Sequence, residues 1–115
     1  MFKPSFVNLT PHSIWVTIHP DFLDDRGIEY PASGMVARMP ANRAEGPLCG
    51  PHRMVQQTLG AVEGLPEPVE GTVYIVSALV LSALEGSRPD VVSPDTGPDA
   101  IRENGQIKAV RGFVC

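Results

Sequence analysis

Eleven glycines and twelve prolines, a fifth of this 115-residue chain, are the strongest constraint on its fold. Proline breaks the interior of a long helix and glycine weakens it, so a helical bundle or a coiled coil is excluded. Turns and irregular loops must take up much of the chain. Valine and isoleucine together number 19 against eight leucines, and β-branched side chains suit a pleated surface. With 43% hydrophobic and 19% charged residues the chain is not a disordered tail. It can bury one modest core, which makes residues 1–115 a single globular domain.

The pattern along the chain predicts where the strands lie. Ser5–Leu9 and Ser13–Ile18 flank a bend at Thr10-Pro11-His12, and in the second run Ile14, Val16 and Ile18 alternate with Ser13, Trp15 and Thr17. Asp21 to Gly27 reads as a polar turn. Ile28–Tyr30 and Met35–Met39 read as paired strands about the turn at Pro31 to Gly34. Pro40 to Pro51 is the loosest stretch, and Met54–Val62 is another strand. Thr72–Val76 is a buried β run that passes straight into a helix over Ser77 to Gly86, with Ser77 as N-cap and Gly86 as terminator. An extended segment follows at Asp90 to Val92, since Arg88-Pro89 forbids more helix. Asn104-Gly105 between two β runs is the sequence of a two-residue type I′ hairpin. The expected fold is α+β: a small, mainly antiparallel sheet or partly closed barrel of about six or seven strands with one principal helix after Thr72–Val76. Val73, Ile75, Leu79, Val80 and Leu84 should be buried, with the helix across one face of the sheet.

Charge and cysteine narrow the partners. The formal net charge of −4 makes duplex nucleic acid a poor partner, because phosphate binding needs clustered cations. Seven of the nine bases are arginine, whose planar fork suits carboxylate or phosphate; a GC-rich genome gives the same bias. Two cysteines, one of them the last residue, fit a reduced cytosolic protein better than a disulfide scaffold. No segment resembles a signal peptide, and the longest apolar run, Val73 to Leu84, is shorter than the ~20 residues that span a bilayer. These features predict a soluble cytoplasmic protein with no membrane partner.

The usual catalytic and phosphate-binding signatures are missing: GxxxxGK, GxGxxG after a strand, HExxH and GxSxG do not occur. Cys49-Gly50-Pro51-His52 supplies only half of a zinc set, so neither metal nor cofactor is expected. Ser33 or Ser77 with His12 and Asp95 could be arranged as a nucleophilic triad, but any chain of this size contains those residue types. The joint at Val76-Ser77 is more informative. A helix start offers free N–H groups and a favourable dipole to an anion, although an ordinary capping serine looks the same in sequence. The stiff loop Ser93-Pro94-Asp95-Thr96-Gly97-Pro98 and the turn at His12 suit ligand contact, and equally suit plain turn chemistry.

The same segments carry a resemblance. Asn8-Leu9-Thr10-Pro11-His12, Pro31-Ala32-Ser33-Gly34 with Val36-Ala37-Arg38, and Leu65-Pro66-Glu67-Pro68 with Gly71 to Ser77 form its first part. Arg88 to Pro98 and Ile101 to Ile107 complete it. As an ordered set they resemble a small family of proteins of about this length from bacteriophages, prophages and actinobacteria. The resemblance covers most of the chain apart from Pro40 to Met54, and it brings no catalytic residues. It implies a phage-type accessory protein made in a host cytoplasm, of a kind that blocks host defence by coating a defence protein or sequestering its nucleotide signal.

The leading expectation is therefore a non-enzymatic protein that binds a small anionic ligand such as a nucleotide immune signal, a counter-defence sponge. Arg38 and Arg88 would pair with phosphate, and Ser77 with the helix N–H groups would hold a second oxygen. Asp95 and Thr96 would bond ribose or base, and His12 or Trp15 would contact a base. One alternative is a protein–protein inhibitor of a host defence enzyme, using an apolar patch of Phe2, Phe6 and Trp15. A small hydrolase is the other. A homo-oligomer with a site at its seam fits the first reading.

Overall fold

The computed structural model describes residues 4–17 and 27–115. Four strands form the central sheet: β1 (Ser5–Asn8), β6 (Thr72–Ile75), β7 (Val91–Pro94) and β10 (Phe113–Val114), side by side in that order. β1, β6 and β7 run parallel, and β10 is antiparallel to β7. Tyr74, Ile75 and Val76 are buried in a continuous run, as expected of a parallel strand covered on both faces. Helix α1 (Ala78–Leu84) makes the crossover between β6 and β7 that a parallel pair requires. Its start follows expectation. The Ser77 hydroxyl accepts the Val80 amide at 3.3 Å, and Glu85 and Gly86 take positive φ at the other end.

The remaining strands pair locally. β2 (Ile14–Thr17) is antiparallel to β3 (Gly27–Tyr30), β4 (Ala41–Cys49) to β5 (His52–Leu59), and β8 (Ile101–Glu103) to β9 (Gln106–Ala109). Antiparallel pairs outnumber parallel ones, but the described strands number ten and lie in several separate sheets that close no barrel. Residues 35–39 form no strand. Arg38 makes only an isolated bridge to Glu63, and β3 pairs with β2 instead. The stretch expected to be loosest holds the nine-residue β4. Its Gly46-Pro47 is absorbed in an irregularity between Glu45 and Leu48, so the strand survives both helix breakers. Ile18, the acidic turn at 21–26, His19 and Phe2 lie outside the described residues.

Two apolar clusters sandwich the central sheet. Leu9, Ala37, Tyr74, Val76, Val80 and Val91 form the first, under the helix. On the other side Val16, Ala100 and Val110 pack with Ile14, Tyr30 and Phe113. Of the expected core residues Ile75 and Val80 are buried, and Val73 and Leu84 are partly so. Leu79 is 58% exposed: a seven-residue helix lies on the sheet through one stripe, and Leu79 points away from it while Val80 points in. No helix among the described residues is long and apolar enough to cross a membrane.

The terminal hairpin has the geometry that Asn-Gly predicts. Asn104 and Gly105 both have positive φ, at 53° and 80°, and Glu103 pairs with Gln106 across them. Gly105→Val is expected to cost about 1–2 kcal/mol, because a β-branched residue resists that region. Urea denaturation would show the loss as a lower midpoint; an unchanged midpoint would count against the turn.

Candidate ligand cleft

Three parallel strands end at one edge of the sheet, and the residues that follow them meet there. Thr10, Pro11 and His12 come after β1, Ser77 after β6, and Thr96 after β7. Trp15 on β2 and Ile107 to Val110 on the terminal hairpin complete a cleft of about 430 Å³. Clefts outside the carboxyl ends of parallel strands are where open sheets bind ligands, because loops there can change without disturbing the core.

A buried asparagine shapes one wall. Asn8 is 2% exposed; its Nδ2 donates to the carbonyls of His12 and Tyr30, both at 2.8 Å. Its Oδ1 accepts the Thr10 amide at 2.9 Å and the Thr10 hydroxyl at 2.6 Å. One side chain thus fixes the turn that carries His12. The opposite loop is held from outside the cleft: Asp95 Oδ1 accepts the Gly97 amide at 3.1 Å, and Arg102 donates to the carbonyls of Thr96 and Gly97. Trp15 is placed through its backbone, its carbonyl accepting the Val110 amide at 2.8 Å, and the residue is 46% exposed, with one ring edge over Gly27.

Of the seven residues singled out in sequence, His12, Trp15, Ser77 and Thr96 line the cleft together. Asp95 sits beside it as a turn residue, with Oδ1 accepting the Gly97 amide. The arginines lie elsewhere. Arg38 is exposed and hydrogen-bonds Glu63 through backbone, and Arg88 lines a different groove with Leu81, Leu84 and Val91. The Arg88 fork is already engaged: Nε and Nη2 grip both oxygens of Asp90 at 2.9 and 2.8 Å, and Nη2 also donates to the Pro66 carbonyl. That bond raises the Arg88 pKa and holds the Asp90 carboxyl below its usual range. The cation that does line the cleft is Lys108, with Nζ 3.0 Å from Glu103. Its place depends on the Val16–Val110 bridge, which joins opposite ends of the chain and leaves no local trace in sequence. Phe6 stacks at 5.5 Å on Phe113 and packs at 5.2 Å against Tyr30, so it serves the core rather than an exposed aromatic patch.

No protein-family model, curated protein or solved structure matches this chain.

Proposed function

We propose that the protein is a non-enzymatic binding protein that sequesters a small anionic ligand with a flat ring, a mononucleotide being the type, in this cleft. The observation that carries the reading is the convergence of His12, Trp15, Ser77 and Thr96 at the carboxyl ends of three parallel strands. A cavity of about 430 Å³ suits a ligand of that size. The exposed indole of Trp15 offers a stacking surface, the hydroxyls of Ser77 and Thr96 offer hydrogen bonds to sugar or base, and Lys108 offers a charge for the anion. Because two stiffened loops flank the cleft, little ordering entropy opposes binding. A phage-type counter-defence role, holding a nucleotide immune signal away from its host receptor, is the biological setting that fits such a sponge.

Trp15 is the chain's one tryptophan and lines the cleft, so its emission reports on the cleft and on the neighbouring hollow over Gly27 that it also borders. Titration with linear and cyclic nucleotides is expected to quench or shift that emission, saturating with a Kd below roughly 100 μM for at least one of them. Lys108→Gln should weaken that ligand about 10-fold and leave its uncharged nucleoside unaffected. Flat emission across the whole series would overturn the reading.

A further inference from the structure

The β4–β5 hairpin stands clear of the body. Every residue of β5 is exposed, including Met54, Val55 and Leu59, and in β4 Gly46 alone is half-buried. The arm helps stretch the molecule to 59 × 37 × 24 Å, with a radius of gyration of 17.3 Å against roughly 13 Å for a compact chain of this length. A lone two-stranded ribbon is at best marginally stable in water, and three or more strands are needed for an independent sheet.

Its two edges differ. On β4 the Gly46-Pro47 irregularity interrupts the row of donors and acceptors, which blunts that edge. On β5 nothing does. The Gly60 amide bonds the Pro40 carbonyl at 2.8 Å, which sets the phase of the ladder. Residues 56 and 58 bond inward to β4, so the N–H and C=O groups of Val55, Gln57 and Leu59 point outward. Among the described residues no strand but β4 pairs with β5.

We infer that the free edge of β5 pairs antiparallel with β5 of a second copy, Val55 opposite Val55 of the partner subunit, making a four-stranded sheet from two arms. The outward phase allows this register, and shifting it by one residue would set outward groups against inward ones. The charges permit it as well. Arg53 is the one Lys, Arg, Asp or Glu in β5, and the register places it opposite Gln57 of the partner subunit, so no like charges meet. Two-fold symmetry makes the contact self-limiting, since each arm has one open edge.

Sedimentation of the full chain, under reducing conditions because Cys49 and Cys115 are free and exposed, is expected to give a dimer at roughly 100 μM. Val55→Pro removes an outward N–H while leaving the bonds to β4 in place, and should raise the dissociation constant at least ~100-fold. The near-UV circular dichroism of the body should not change. Val55→Lys and Val55→Glu should each be monomeric alone, and an equimolar mixture should recover the dimer. A monomeric wild-type chain, a Val55→Pro variant that stays dimeric, or a mixture that fails to associate would overturn the assignment.

Discussion

Asn8→Asp is expected to destabilise the protein by about 3–5 kcal/mol at neutral pH, and the loss is expected to shrink in acid. Aspartate has the shape of asparagine and keeps both bonds accepted from Thr10. It loses both donations, and a carboxylate oxygen then faces the carbonyls of His12 and Tyr30 where an amide nitrogen stood at 2.8 Å. The Tyr30 carbonyl left without its donor costs roughly 1–3 kcal/mol, the His12 carbonyl still has the Thr10 hydroxyl at 3.0 Å, and a buried negative charge beside the two adds to the loss. The neutral acid fits better, because its O–H can donate to one carbonyl. The site therefore raises the folded pKa of the new carboxyl above its unfolded value of about 3.9. Between those two values the folded state holds more protons than the unfolded chain, so stability rises as pH falls through the window. Urea denaturation at about pH 7 and about pH 4 measures both effects. An equal loss at both values would mean that the carboxylate does not sit where Asn8 does. Ligand binding should fall with stability, because Asn8 fixes the turn that carries His12.

What the sequence discloses about this fold follows from where each signal is stored. The Asn104-Gly105 turn and the Ser77 cap are local facts, written in residues whose backbone or side chain can do little else at those positions. The parallel pairing of the core is only half legible. A strand at Thr72–Ile75, a helix closed by Gly86 and a strand at Val91–Pro94 form a β-α-β unit, an order that a parallel pair needs but that does not by itself impose one. Many short β runs point to a mainly antiparallel barrel and outweigh that smaller pattern. The β4 strand was not legible. A ribbon exposed on both faces has no reason to alternate apolar and polar residues, so Asn42 to Pro47 reads as loop and is strand.

The cleft divides the same way. His12, Ser77 and Thr96 follow strand ends, and a ligand edge can be guessed from that position alone. Asn8, the residue that shapes the wall, reads as an ordinary strand residue until its four partners are seen. Lys108 reaches the cleft only because Val110 lies beside Val16, a contact between the two ends of the chain. The arginines mislead for a different reason. Guanidinium chemistry is equally suited to phosphate and to a neighbouring aspartate, and the Asp90 two residues along settles Arg88 on the second.

Arg88→Ala is accordingly expected to act on stability, costing about 2–4 kcal/mol, and to leave the Trp15 titration unchanged once the variant is folded. The two side chains keep only 19% and 18% of their surface exposed, so removing the fork strands a mostly buried carboxylate. It also frees the Pro66 carbonyl, through which Arg88 ties the 64–71 segment to the start of β7. Arg88→Lys should rescue little, since one ammonium cannot grip two carboxylate oxygens and a carbonyl in the same geometry. The wild-type pair carries its own pH signature. The hydrogen bond from Arg88 holds the folded Asp90 pKa below its unfolded value, so its stabilisation is complete above the usual carboxylate range. It is lost as pH falls through the lowered folded value. Acid unfolding of Arg88→Ala should therefore lack that limb, and the double variant Arg88→Ala/Asp90→Ala should cost less than the two single losses added together. A variant that kept its stability but lost the nucleotide response of Trp15 would move Arg88 from the frame of the sheet to the ligand.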